Sequence, residues 1–411
     1  RAWVAVDAAG ALQSAQRLAA ELAAGHDRGP LHGIPIGVKD IFDVQGLPTR
    51  AGSSLTDPRP AAQDAAVVER LRKAGAVILG KTVTTEFACF DPPPTLNPWN
   101  AGHTPGGSSS GSAAAVALAM CYGALASQTG GSITRPASYC GVAGCKPTFG
   151  RTSRRGVLPV SFHLDHVGII AATAADCAVL IEAICGDDPL DPAAVPGKNF
   201  AIAGTDAVQT PIRLAVATSH FFDAADAETA SLTQRTVEML AHAGAELVEL
   251  SLPAGFEQVA AMHRRLMVAE GAHFHQRTFG APRGGYGPQM TAFIEEGLGI
   301  SMADYQQALE HQSSFRHALA RTLASVDALL TPATPAAAPP SLKTTGDPRF
   351  NSPWSFAGVP TVSIPCALSA AGLPLALQLV GPAWSEARLL AVASWCEQQI
   401  GLGLVPPILD E

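Results

Sequence analysis

The sequence predicts an α/β protein with a large, mostly buried central β-sheet. Segments whose apolar residues recur at a period near 3.6 alternate along the chain with short β-branched or aliphatic runs. Hydrophobic residues make up 47% of the 411 residues and charged residues only 15%. This composition provides enough apolar side chain for a large interior.

Each element is predicted from its local pattern. The helical period marks seven segments: Ala11–Ala24, Asp64–Ala74, Ala174–Cys185, Ala227–Ala243, Phe256–His275, Met302–Leu323 and Glu386–Gln399. Six short aliphatic runs are predicted as buried strands: Ala76–Leu79, Ile212–Ala217, Leu247–Leu250, Ala328–Thr331, Thr361–Pro365 and Ala376–Val380. A further helix of small residues is predicted from Ala113 to Ala126.

The domain organisation follows from one compositional break. Thr331–Pro340 is rich in Pro and Ala, and the polar segment Ser341–Asn351 follows it. The two strands and one helix after this break are too few for a separate domain. We therefore predict one domain over residues 1–411, with 331–351 as a surface or pocket loop. Because the first residue is Arg1 rather than Met, we expect an incomplete or processed N-terminus.

Charge and cysteine content bear on partners and compartment. A formal net charge of −8 argues against a nucleic-acid surface, which requires clustered Lys and Arg. The most apolar stretch, Ser112–Ala126, is too short to cross a membrane. Eight cysteines stand mostly singly inside apolar segments, which is typical of free thiols in a reducing compartment. We therefore predict a cytoplasmic protein, and no cysteine spacing indicates a metal site.

Two short motif matches fail on physical grounds. Gly75–Thr82 satisfies the phosphate-binding pattern G-x-x-x-x-G-K-[ST], but its four middle residues are Ala, Val, Ile and Leu, and the predicted helix precedes it. Gly107–Gly111 fits the G-x-S-x-G nucleophile elbow, but a loop precedes it instead of a strand. The first segment is predicted to be an ordinary helix-to-strand connection, and the second is not predicted to be a nucleophile elbow.

Three other segments form a constellation. They are Gly33–Asp40, Gly106–Ser112 and Gln128–Pro136. A flexible linker or a structural turn would also explain the Gly/Ser run. The apolar segment that follows it at once favours an active-site element.

These three segments resemble the core of the amidase signature family, in the family's usual order. The resemblance continues through Cys140–Pro147, and it returns in the closing segments Phe356–Pro365 and Leu373–Gly381. It implies a single amidase domain with a large mixed sheet covered by helices on both faces. Its regions would be a catalytic core at 31–186, a variable pocket region at 189–351 and closing elements at 352–411. It also implies hydrolysis of a carbon–nitrogen bond in a small amide, carbamate or related substrate, without a cofactor.

The resemblance implies a catalytic relay of three side chains. Ser132 would be the nucleophile, Lys39 the general base, and Ser108 the group that passes protons between them. A lysine titrates near pH 10.4 in water, so a base that works at pH 7–8 needs a pKa lowered by about 2–3 units. Burial lowers the pKa of a lysine, and the apolar residues before Lys39 favour burial. Asp40 is an open alternative partner that would keep Lys39 charged.

Neighbours of the relay are also implied. The family places a cis peptide bond before the middle serine. The oxyanion hole is expected to consist of the backbone N–H groups of Thr129, Gly130 and Gly131. The turn around the relay is expected to be shaped by Gly106, Gly107 and Ser109. Ser109 and Thr129 could equally be helix caps or core residues.

The chain departs from the commonest family pattern. Gln128 stands where many members have an acid, and Arg135 comes one position later than usual, which is similar to malonamidase-type members. We predict that Arg135 and Gln128 contact the substrate; the alternative for Arg135 is that it braces a loop by pairing with an internal carboxylate. Cys89, Phe90 and Trp354 are predicted to line the pocket.

Three other function classes remain open from sequence. The first is a glutaminase-type amidotransferase subunit that delivers ammonia to a partner. The second is a non-catalytic binding relative, which the retained relay residues disfavour. The third is a P-loop nucleotide-binding protein. A homodimer is a further open alternative.

Overall fold

The computed structural model describes residues 1–197, 201, 211–280 and 284–409. Across these residues one mixed sheet is built from eleven strands: β1 (Trp3–Val6), β2 (Pro35–Lys39), β3 (Val77–Thr82), β4 (Gly123–Gln128), β5 (Ala143–Lys146), β6 (His166–Ala171), β7 (Ile212–Val216), β8 (Ala245–Glu249), β9 (Ala328–Pro332), β10 (Thr361–Leu368) and β11 (Pro374–Val380). The spatial order is β1-β3-β2-β4-β6-β5-β10-β11-β9-β7-β8. β2 runs parallel to β3 and β4, whereas β4 and β6 are antiparallel.

Helices cover both faces of this sheet. Their bounds in the described residues are α1 (Ala8–Ala23), α2 (Ala66–Lys73), α3 (Ser110–Ala117), α4 (Thr134–Cys140), α5 (Ala174–Ile184), α6 (Ala227–His242), α7 (Val259–Phe279), α8 (Pro288–Leu298), α9 (Met302–Leu323), α10 (Ser352–Ala357) and α11 (Glu386–Ile400). Neighbouring residues of a strand point to opposite faces. On β6, Ile169 packs into the apolar cluster that contains α5, and Ile170 packs into the cluster that contains α3. The predicted α/β class with a mixed sheet and two helical layers is confirmed.

The predicted helix Ala113–Ala126 is wrong. α3 ends at Ala117, and Gly123–Gln128 is the central strand β4, buried along its whole length. A strand buried on both faces shows no alternation, so its run of small residues reads like a helix. The strand packs closely here: a Cβ at Gly123 would lie 2.3 Å from Leu180 Cδ1, so the Leu180 side chain would have to move.

The other predicted elements agree with the structure within a few residues at their ends. The sequence pattern did not reveal β1, β2, β5 and β6 or the helices α4, α8 and α10. In contrast, the segment 333–351 contains no helix or strand and joins β9 to α10, as the loop prediction required.

The positions of Gly75–Thr82 and Gly107–Gly111 in the fold show why neither segment forms the motif that its sequence matches. Gly80, Lys81 and Thr82 lie inside β3, which follows α2, so the order of helix and strand is the reverse of a phosphate-binding loop. Gly80 is required by the sheet edge, because a Cβ there would lie 2.1 Å from the carbonyl oxygen of Ala5 on β1. Gly107–Gly111 follows a loop and leads into α3. Neither segment has the backbone that its motif needs.

Candidate active site

Lys39 is the last residue of β2, and β2 lies between β3 and β4 in the sheet. The side chain is 0% exposed. Its Nζ lies 2.7 Å from Ser108 Oγ and 2.8 Å from Ser127 Oγ, and it donates to both hydroxyls. A strand end, the turn before α3 and β4 thus bring three polar side chains together in the interior.

The buried position changes the protonation of Lys39. Burial lowers its pKa to about 7, although the negative charge of Asp165, and to a lesser degree Cys89, raises it. Asp40 is not its partner: the Asp40 carboxylate lies 2.8 Å from Lys81 Nζ in an ion pair that is almost fully buried. The open alternative in which Asp40 holds Lys39 charged is therefore excluded by geometry.

The turn that carries Ser108 is held tightly. The Gly107–Ser108 peptide is cis, as the family resemblance implied. Arg135 donates from Nη2 to the Gly107 carbonyl oxygen at 2.8 Å, and from Nη1 to the Gly346 carbonyl oxygen at 3.0 Å. A Cβ on Gly107 would lie 2.7 Å from Thr345 Cγ2. Only glycine fits this position without displacing the 344–346 loop.

Arg135 therefore braces two loops. It is 4% exposed, and the contacts of its terminal nitrogens are two backbone carbonyls and the Thr345 hydroxyl at 3.2 Å. The bracing alternative describes this arrangement better than the substrate contact. However, the acceptors are carbonyl and hydroxyl oxygens rather than the internal carboxylate that was expected.

The segment before Ser132 is fixed residue by residue. The Thr129 hydroxyl donates to Asp165 Oδ1 at 2.5 Å, and the Thr129 carbonyl accepts from His263 Nε2 at 2.9 Å. The Gly130 carbonyl accepts from Ser355 Oγ at 2.9 Å. Because peptide groups are planar, fixing these carbonyls fixes the neighbouring N–H groups as well. Ser132 itself is 9% exposed and stands just before α4.

Two residues predicted to touch substrate have other surroundings. Gln128 Oε1 accepts from the backbone N–H groups of Ile133 and Thr134, at 2.9 and 3.1 Å, so its amide holds the start of α4. Trp354 is 0% exposed and stacks on Phe221 with ring centroids 5.5 Å apart. Both side chains are engaged by the fold, and their contact with the substrate stays a prediction.

Cys89 lies near Lys39, and Phe90 follows it in the chain. Cys89 is 7% exposed and close enough to Lys39 to act on its pKa. Phe90 is partly buried, packs near Phe293 and lies under the Arg264 guanidinium, 5.5 Å from ring centroid to Cζ. Ser109, the remaining predicted neighbour, is fully buried, and its hydroxyl lies 3.4 Å from the backbone of Ser127.

A cavity of about 180 Å³ lies next to the segment that precedes Ser132; the residues that line it include Ser127, Thr129, Asp165 and Arg154. A larger cavity of about 980 Å³ lies beside it, against α7 and α9, and shares Val160 and Phe162 with the smaller one. The small cavity thus lies one residue away from Lys39, because Ser127 both lines it and contacts the lysine.

Four contact residues were missed at the sequence level: Ser127, Asp165, His263 and Ser355. Ser127 could have been found if β4 had been recognised, because alternate residues of a strand share a face and Ser127 is two positions from Thr129. No local pattern marks the other three.

The described residues contain neither a cluster of metal-ligating side chains nor a membrane-spanning helix. Within these ranges no group of three or more His, Cys, Asp or Glu side chains is arranged to hold a metal ion. None of the helices in the described parts of the chain has the length and apolarity needed to span a membrane. All eight cysteines are free thiols, seven of them buried.

Comparison with known proteins identifies the family. The family described as Amidase matches residues 1–390. The chain belongs to the amidase family. This membership assigns the reaction class, the hydrolysis of carbon–nitrogen bonds in amides.

Relatives of this amidase include proteins described as enzymes in their own right and proteins described as parts of complexes. A glutamyl-tRNA(Gln) amidotransferase subunit from Roseiflexus castenholzii is 36% identical over 432 residues, which cover 95% of this chain and 87% of that protein. The native peptide amidase from Stenotrophomonas maltophilia is 32% identical with a TM-score of 0.86, covering 98% of this chain and 90% of that one. A structure from a vestigial protein complex, described as revealing the origins of an s-triazine catabolic enzyme, is 30% identical with a TM-score of 0.89 and covers 98% and 92%.

Proposed function

We propose that this amidase cleaves small linear amides through an acyl-enzyme on Ser132, with Lys39 as base and Ser108 as proton carrier. The observation that carries the proposal is the contact of 2.7 Å between Ser108 Oγ and a fully buried Lys39 whose pKa is lowered to about 7. A neutral lysine amine beside a serine hydroxyl is a competent proton acceptor near neutral pH.

In this mechanism Ser132 Oγ forms a bond to the amide carbon. Its proton moves to Ser108 Oγ, whose own proton moves to Lys39 Nζ. The resulting oxyanion accepts hydrogen bonds from the backbone N–H groups at 129–131. The carbon–nitrogen bond then breaks, and the leaving nitrogen takes a proton from Ser108 as Lys39 returns its own. Water attacks the acyl-enzyme by the same route, which releases the acid and restores Ser132.

Ser127 completes the surroundings of the base. Its hydroxyl is the second hydrogen-bond partner of Lys39, at 2.8 Å. Two hydroxyl partners fix the position of Nζ at the end of a flexible side chain. Because neither partner is charged, neither opposes the effect of burial on the pKa of Lys39. This role supports the relay without a charged partner for the lysine.

The nucleophile can be tested by covalent labelling. A fluorophosphonate reacts with activated serines, and we expect intact-mass analysis and peptide mapping to show a single adduct on Ser132. The adduct should be absent from Ser132→Ala and should form much more slowly in Lys39→Ala. Lys73→Ala is the matched control, because Lys73 is a surface lysine with a side chain 72% exposed. An adduct on Ser109, or equal labelling of Lys39→Ala, would refute the relay.

A second candidate function is that of an amidotransferase component that releases ammonia from an amide for use by a partner. The similarity to the amidotransferase protein of Roseiflexus castenholzii supports it. Glutamine hydrolysis that is slow in the isolated chain, but fast in a complex isolated from its native source, would favour this function. Rapid hydrolysis of simple amides by the purified chain alone would favour the first. Size-exclusion chromatography with light scattering would also test the proposed homodimer, and fractionation of the source cells the proposed cytoplasmic location.

A further inference from the structure

Asp165 takes no part in the proton transfers of the proposed mechanism, yet it contacts the segment that precedes Ser132. It stands directly before β6, and the antiparallel register pairs Gln128 with His166, so the next position along each chain brings Thr129 opposite Asp165. Thr129 Oγ1 donates to Asp165 Oδ1 at 2.5 Å. The sheet itself thus delivers a carboxylate to the segment that precedes Ser132.

The other carboxylate oxygen is also engaged. Asp165 Oδ2 accepts from the backbone N–H groups of Val160 and Ser161, at 2.8 and 3.0 Å. Both residues belong to the segment before β6, and Val160 lines both cavities beside the relay. Burial raises the pKa of the Asp165 carboxyl, and the three donors oppose that effect because they favour the ionised form. Asp165 therefore ties the cavity wall to Thr129.

The same carboxylate also acts on Lys39. Asp165 lines the small cavity together with Ser127, whose hydroxyl contacts Lys39. Asp165 and Cys89 both favour the charged form of the lysine. Burial raises the pKa of the Cys89 thiol well above its ordinary value, so that group stays neutral at working pH. The neighbouring Asp40 is committed to Lys81. In its ionised form, which its three donors and the nearby Arg154 favour, Asp165 raises the pKa of Lys39.

We propose that Asp165 is a positioning residue with two tasks: its carboxylate holds Thr129 and the oxyanion segment in place, and its charge favours the protonated form of Lys39 against the effect of burial. The proposal rests on the relay of the proposed function. His263 shares the first task, because it donates to the Thr129 carbonyl from the other side. It does not share the second, because burial lowers its pKa to about 4 and leaves it neutral.

The two tasks predict different responses to substitution. Asp165→Asn removes the charge, so the pKa of Lys39 falls and a larger fraction of the lysine is neutral at low pH. We expect kcat/KM to drop by about tenfold or more. We also expect the acid limb of the kcat/KM–pH profile to move to lower pH by about 0.5–1 unit. Thr129→Val keeps the charge and removes the hydroxyl donor; we expect a similar loss of rate with the acid limb unmoved.

Glu246→Gln is the matched charge control, since it removes one negative charge from the edge strand β8, where the side chain is 51% exposed. We expect its rate and profile to match wild type. Thermal unfolding followed by circular dichroism identifies any variant that is not folded at the assay temperature. If Asp165→Asn does not fold, Thr129→Val provides the test, because a wild-type rate in that variant would show that the hydrogen bond between Thr129 and Asp165 does not position the oxyanion segment.

The outcomes separate this inference from the relay. An acid limb that stays in place in a folded, slow Asp165→Asn would reduce the residue to a structural role and overturn the electrostatic task. Wild-type activity in Asp165→Asn would overturn both tasks. Wild-type activity in Lys39→Ala, by contrast, would defeat the relay itself, whatever Asp165 does.

Discussion

Replacing Lys39 tests the chemistry at the residue on which it depends most. A lysine with a pKa near 10.4 is neutral in about one molecule in 2,500 at pH 7, whereas a lysine with a pKa of about 7 is neutral in about half of the molecules. Burial therefore increases the available base by roughly a thousandfold. Because only the neutral amine accepts a proton, activity is fully present above pH 7 and is lost as the pH falls through that value.

The expected profile is specific. In wild type, kcat/KM should fall about tenfold for each pH unit below about 7. Lys39→Ala should lose at least about a hundredfold at pH 8, the usual lower range for loss of a general base, and its acid limb should disappear. Lys39→Arg should be similarly inactive, because a guanidinium stays protonated and cannot act as a base.

The assay is the release of ammonia, or of a chromogenic amine, from a simple amide between about pH 5 and 9. Lys73→Ala receives the same substitution on the surface of α2 and should keep the wild-type profile. The reasoning would be refuted by a folded Lys39→Ala that keeps activity within about tenfold of wild type and retains the acid limb. An active Lys39→Arg would show that the position supplies charge instead of a base.

Three further predictions concern the scaffold. Gly131→Ala should fold but lose most activity, because its Cβ would lie 2.7 Å from Asn351 Oδ1; ammonia release and circular dichroism check this, and a fully active variant would contradict the close approach. Lys81→Met should lower the free energy of unfolding by about 3–5 kcal/mol in urea titration, because it leaves the Asp40 carboxylate buried without its partner, and a loss below about 1 kcal/mol would argue against a buried ion pair. Arg135→Met should reduce kcat far more than it raises KM, because it releases the turn that carries Ser108. A change confined to KM would instead support the prediction that Arg135 contacts the substrate.

The elements that could be predicted from the sequence are those whose own residues show a clear pattern. Helices such as α9, whose predicted and observed bounds are both Met302–Leu323, show the helical period within their own sequence. The relay segments were recognised because residue type and order carry the resemblance, whatever the surrounding fold. β4 was misassigned because its small residues, buried on both faces, show no period that separates a strand from a helix.

By itself, the sequence determined the α/β class, the order of most elements, the family and the three segments that supply Lys39, Ser108 and Ser132. Only the tertiary structure decided what surrounds them. Pairing of β4 with β6 brings Asp165 opposite Thr129, and pairing of β2 with β4 lets Ser127 reach Lys39. Burial in the middle of the sheet, rather than any adjacent residue, lowers the pKa of Lys39. These contacts join residues far apart in the chain, and the periodicity of one segment holds no information about its distant neighbours.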